Sequence, residues 1–128
     1  MVLVAAADSG NITDAEIAVM AALVQTLEVF QGFRSEQLGA ACDNVVELLR
    51  EEDGLAHAGR LICEALEPRL RETAYVLACE VVAADDVHGQ RILQMLEFVM
   101  TELNLDPLVA AAIERGVRAR YQQVERNA

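Results

Sequence analysis

The sequence contains no lysine and no tryptophan, and only two prolines, two histidines and three cysteines stand among its 128 residues. Each shortage excludes something. Cys42, Cys63 and Cys79 lie 21 and 16 residues apart, form no CxxC pair and are odd in number. They read as small core residues in a reducing compartment rather than as a disulfide framework. His57 and His88 are too few and too isolated to complete a zinc site. No apolar run approaches the roughly 18 residues that a spanning helix needs. Met1-Val2-Leu3-Val4 carries no positive charge and runs straight into an alanine-rich stretch, so no secretory signal is recognisable, and a soluble, cytoplasmic protein is expected. Catalytic patterns are missing as well. There is no Ser-His-Asp set, glycine-rich phosphate loop, HExxH or repeated Glu-x-x-His pair, so a non-enzymatic protein is expected. Tyr75, Tyr121 and the three phenylalanines do not interleave with basic residues, which argues against stacking on single strands.

What the chain does have is acid and aliphatic carbon. Apolar residues make up 54%, too many for a disordered segment, and the formal net charge is -11. Residues 1–110 hold 19 acids against six arginines, while 111–128 hold two acids against four arginines. An acidic body repels phosphate backbones, which excludes nucleic acid as the expected partner. The arginine-bearing tail, with Arg115, Arg118 and Arg120, is expected to balance acids on its own protein or on a second copy in a homodimer. Any membrane association would be peripheral, because four arginines are fewer than polybasic anchors carry.

Apolar residues recur at helical spacing almost throughout, and β-branched alternation is absent. The pattern predicts an all-α fold, a compact single-domain bundle of six to seven helices over residues 1–128, with 107–128 as the last helix and tail. Residues 1–7 read as the last turns of a short or truncated helix. Thr13-Asp14-Ala15-Glu16 is a capping box. The helix it opens places Ile17, Met20, Leu23, Val24 and Leu27 on one face and is expected to end near Gly32. A second helix starts at Ser35, and Gly54 marks a break. The shorter helix that follows is expected to turn Leu55, Ala58, Leu61, Ile62, Ala65 and Leu66 inward. Pro68 suits the first turn of the next helix. Its run AYVLACEVVAA, residues 74–84, is apolar on all sides except for Glu80, so this helix is expected at the centre. A buried lone carboxylate must find an arginine or the rim, or face the acidic bends. Ile92 to Leu103 forms another helix, closed by LNLDP, where Asp106 caps and Pro107 opens the last one.

The opening stretch has a late counterpart. At an offset of 76 residues, Ile17, Met20, Leu23, Val24 and Leu27 fall on Leu93, Leu96, Val99, Met100 and Leu103. At an offset of 77, Ala7-Asp8 falls on Ala84-Asp85. One extra residue in the first bend reconciles the two, giving a pseudo-duplicated helical hairpin.

With AADSGNITDAE at the first bend, ETAYVLACEVVAAD leading into the second and FVMTELNLDP closing it, the chain resembles the tellurite-resistance TerB family over about residues 1–110. That resemblance implies a bundle of about seven helices without enzymatic activity, linked to tellurite resistance and stress responses. It also implies two Asp-Gly bends that gather acids around a divalent cation such as calcium. Carried over residue by residue, it assigns Asp8, Glu16, Asp85 and Asp86 as metal-site residues. Gly10 and Ile12 keep the family pattern at the first bend. At the second, Asp86 replaces the glycine, His88 the apolar residue and Ile92 the glutamate. A hard cation wants six to eight oxygens. Asp8, Asp14, Glu16, Asp85 and Asp86 would supply five carboxylates if the bends meet. Capping and the helix dipole account equally for Asp14 and Glu16, and a solvated turn accounts for Asp85-Asp86. With those acids acting only as caps, the chain would be a protein-interaction or homo-oligomerisation domain without metal.

Overall fold

The computed structural model describes residues 1–6, 12–83 and 90–124. Seven α-helices follow one another there: α1 Val2–Ala5, α2 Asp14–Thr26, α3 Ser35–Leu49, α4 Gly54–Ala65, α5 Pro68–Ala83, α6 Gln90–Glu102 and α7 Pro107–Arg120. A single 3-10 turn, Glu28–Phe30, lies between α2 and α3, and no strand occurs among the described residues.

The apolar run of α5 takes the central place its composition demands. Tyr75 and all six residues from Leu77 to Val82 are buried, and α5 packs against α1, α2, α6 and α7. A helix enclosed on every side has no use for a polar face. The short α1 is enclosed in the same way, with Val2, Leu3, Val4 and Ala5 all buried. Val2 and Ala5 join Met20, Val24, Leu38 and Val81 in one core cluster, while Val4 meets Ala78 and Val82 in another.

The internal duplication is visible in the helix limits. α2 ends at Thr26 and α6 at Glu102, 76 residues on, in keeping with the 76-residue offset of their aliphatic residues. Their packing corresponds too. α1 lies against α3 and α6, and α5 lies against α7 and α2. These two pairs of contacts exchange when the halves are exchanged, whereas the packing of α2 on α3 and of α5 on α6 has no equal in the other half, so the correspondence is partial.

The helix ends follow local chemistry. The Thr13 amide and hydroxyl both donate to Glu16 Oε1 at 2.9 Å, and the Glu16 amide donates to Thr13 Oγ1 at 3.2 Å, completing the capping box. Asn104 adopts φ +52 after α6. The Leu105 amide then reaches back to the Met100 carbonyl and that of Asn104 to Thr101, a Schellman stop. Asp106 caps α7 by accepting from the Leu108 amide at 2.8 Å, with Pro107 in the first turn.

Four expectations need correction. α2 stops at Thr26, six residues before Gly32, because Leu27 turns extended (φ -88, ψ 136). The following 3-10 turn brings Phe30 into an edge-to-face contact with Phe33 at 5.5 Å. Ile17 is 43% exposed because Glu16 takes the first place in the buried stripe of α2, which then runs through Met20, Leu23 and Val24 as expected. Leu61 is 46% exposed, one residue round α4 from the inward Ala58 and Ile62. Leu93 is 53% exposed although it continues the stripe of Leu96 and Met100.

The turn between α3 and α4 supplies a test. A Cβ added at Gly54 would lie 2.1 Å from the Leu48 carbonyl oxygen, whereas nothing stands within 4 Å at Gly39 or Gly116. Gly54→Ala should therefore destabilise by about 2–3 kcal/mol. In the helix interiors Gly39→Ala and Gly116→Ala should stabilise by roughly 0.5–1 kcal/mol each. Thermal melts followed by circular dichroism measure all three, and a neutral Gly54→Ala would contradict the close approach.

Candidate functional site

The most developed polar structure among the described residues is a seam between α5 and α7. On α5, Tyr75 and Cys79 stand one turn apart, and Glu80 follows on the next face. On α7, Glu114, Val117, Arg118 and Tyr121 recur at helical spacing toward them. The two helices exchange bonds in both directions. Tyr75 of α5 donates its hydroxyl to Glu114 Oε1 at 2.7 Å, and Tyr121, just past α7, donates to Glu80 Oε2 at 2.5 Å. The Arg120 guanidinium lies 2.5 Å from Glu80 Oε1. It serves there as a counter-charge, since the angles do not make an in-line hydrogen bond and Oε1 accepts none. The Glu80 side chain is 1% exposed and that of Arg120 65%, so the arginine reaches inward from the surface to an acid that cannot reach outward.

This environment suppresses reactivity. Burial pushes the Cys79 thiol up to about 12, with the charges of Glu114 and Glu80 adding to the effect and the neighbouring Tyr75 hydroxyl partly offsetting it. Burial likewise pushes the Tyr121 hydroxyl up to about 12, reinforced by its bond to Glu80 and that carboxylate's charge and opposed by Arg120. Tyr75 is raised by burial and by its bond to Glu114. A thiol held this way is protonated at neutral pH and is no nucleophile.

Beside the seam lies a cleft of about 440 Å³ between α5, α6 and α7. Val82, Ala83, Leu96 and Val117 form its apolar lining, with Leu93 among the lining residues and Cys79, Glu114, Arg118, Tyr121 and Gln122 as its polar part.

Of the four residues assigned to a metal, the structure places one. Glu16 is buried, 5% exposed, with Oε1 engaged by Thr13. Asp8, Asp85 and Asp86 lie outside the described residues, as do Gly10, Asn11 and His88. Asp14 is exposed in the first turn of α2. Among the described residues no group of three or more histidines, cysteines, aspartates and glutamates is placed to hold a metal ion. His57 instead faces Glu51 at 3.6 Å on the surface. No helix among the described residues is long and apolar enough to cross a membrane.

Glu80 finds an arginine, as its isolation in an apolar helix requires. The Tyr75–Glu114 and Tyr121–Glu80 bonds carried no sequence signal, since their partners stand 39 and 41 residues apart. Comparison with known proteins returned no match, whether to a family model, a curated protein or a solved structure.

The raised thiol and hydroxyl set the alkaline limit of stability. Both groups are neutral when protonated, and the folded chain holds their protons more tightly than the unfolded chain does, whose ordinary values are 9.0 and 10.0. Their contribution is complete below pH 9 and is lost as pH rises from 9 toward 12. Melting temperature should fall over that range, and Cys79→Ala should flatten its beginning. A melting temperature independent of pH from 8 to 11 would contradict the burial of Cys79.

Proposed function

We propose that the chain is a non-enzymatic, TerB-like binding module of the cytoplasm, acting in stress or tellurite resistance, with a divalent cation such as calcium held where its two acidic bends meet. Asp8, Glu16, Asp85 and Asp86 are the residues at stake. The observation that carries the reading is the pair α2 and α6, whose C-terminal ends stand 76 residues apart and each of which follows an acid-bearing stretch of the sequence. Glu16 adds support, because a carboxylate 5% exposed in the first turn of α2 is more deeply set than a surface cap requires.

The second reading is a protein-interaction or homo-oligomerisation domain in which the acids only cap helices. One observation favours it: Glu16 Oε1 already accepts two bonds from Thr13, so its capping role is complete without an ion. Calorimetric titration with calcium, magnesium, manganese and zinc separates the two. Heat of binding that disappears in both Asp8→Ala and Asp85→Ala is the expected outcome. No heat with any of the four ions leaves the interaction domain as the reading that stands.

A further inference from the structure

Two helices of this protein end alike, and only one of the ends is capped. α4 closes on an extended leucine, Leu66 (φ -104, ψ 125), whose amide returns to the Ile62 carbonyl. α2 closes on Leu27 (φ -88, ψ 136), whose amide returns to Leu23. A helix end leaves carbonyls without intrahelical partners and carries about half a negative charge. At α4 the Arg71 guanidinium answers both needs. Its Nε donates to the Leu66 carbonyl at 3.3 Å and its Nη2 to that of Cys63 at 3.2 Å.

At α2 nothing in the chain takes that part. Counted from the closing leucine, Val24 stands where Cys63 does, and the place of Arg71 falls to Gly32. A Cβ added at Gly32 would meet nothing within 4 Å. The carbonyls of Val24, Gln25 and Thr26 accept no backbone hydrogen bond from beyond the helix among the described residues, and the last turn of α2 has no basic side chain. No basic residue occurs in the chain before Arg34.

The space left there is a groove of about 560 Å³ around the end of α2 and the 3-10 turn, and every residue of its lining is described. Glu28 is the single charged residue of that lining, which Arg34 does not join, and it forms no ion pair among the described residues. Phe30 and Phe33, edge to face at 5.5 Å, also line the groove, and aromatic rings attract cations. Carbonyls, one carboxylate and rings together suit a guanidinium, which is planar, carries five N–H donors and stacks on aromatics.

We propose that this groove binds an arginine side chain from an exposed segment of a partner protein, which caps α2 from outside as Arg71 caps α4 from within. The groove exceeds what one guanidinium fills, so residues flanking the arginine have room. A free guanidino compound shares the chemistry without those flanks. The proposal holds whether or not the acidic bends take an ion.

The test is a titration of the full chain with acetyl-Ala-Arg-Ala-amide, its lysine and citrulline counterparts and methylguanidinium, followed by backbone amide NMR shifts. The arginine peptide should bind saturably, with shifts centred on residues 24–33, and about tenfold more tightly than the neutral citrulline peptide. The lysine peptide and methylguanidinium should each bind several-fold more weakly than the arginine peptide. Glu28→Gln alters an exposed side chain, so the melting temperature should hold while arginine binding weakens several-fold. Gln25→Arg supplies the missing cation from within, and should hold or raise the melting temperature while weakening binding about tenfold. Equal binding of the three peptides overturns the proposal, as do shifts centred elsewhere, unchanged affinity in both variants or no saturable binding at millimolar concentration. Methylguanidinium binding as tightly as the arginine peptide overturns the protein source and assigns the groove to small guanidino compounds.

Discussion

A carboxylate within the buried apolar run of α5 is the constraint around which the second half of this protein is arranged. Glu80 is 1% exposed, and an ionised acid so placed must be offset or it destabilises the fold by several kcal/mol. The end of α7 supplies the offset, with Arg120 giving the charge and Tyr121 the hydrogen bond. Only one axial position of α7 along α5 puts both residues there. The same register brings Glu114 to the Tyr75 hydroxyl and leaves Val117 buried against α5. Apolar packing alone tolerates sliding, and the paired polar bonds do not. The Schellman stop at Asn104 and the Asp106-Pro107 cap turn the chain so that α7 can arrive in that register.

What the sequence disclosed, and what it withheld, follows from the range of each interaction. The capping box at Thr13 and Glu16, the stop at LNLDP, the Asp106 cap and the break at Gly54 are all settled within a few residues, so local chemistry decides them. The central place of α5 was legible because no partial exposure suits eleven residues with a single charge. The facing of Ile17, Leu61 and Leu93 was not. Each is one aliphatic residue among several, and which of them turns outward depends on where a neighbouring helix happens to end. Glu16 shows the reverse case: a residue read as a cap also takes the first place in the buried stripe of α2 and turns Ile17 outward. The seam partners were invisible because nothing local links Tyr75 to Glu114 or Glu80 to Tyr121.

The duplication divides the labour between the halves unequally. α1 and α5 occupy corresponding places, but α1 has four residues, all buried and none charged, while α5 has sixteen and carries Glu80. The first half therefore contributes apolar core and the capped start of α2. The second contributes the seam and the cleft. If the bends bind a cation as proposed, that chemistry belongs to both halves jointly, whereas the cleft belongs to the second half alone.

The interdependence of α5 and α7 is open to a direct thermodynamic cycle at Glu80 and Arg120, read by chemical denaturation. Arg120→Ala strands a buried charge, and a loss of about 2 kcal/mol is expected, below the full buried-pair value because the arginine itself is largely exposed. Adding Glu80→Gln removes that charge while keeping an acceptor for the Tyr121 hydroxyl, and the double variant should recover at least about 1 kcal/mol of the loss. If Arg120→Ala changes stability by less than about 0.5 kcal/mol, or if the two substitutions simply add, Glu80 does not hold the two helices in register.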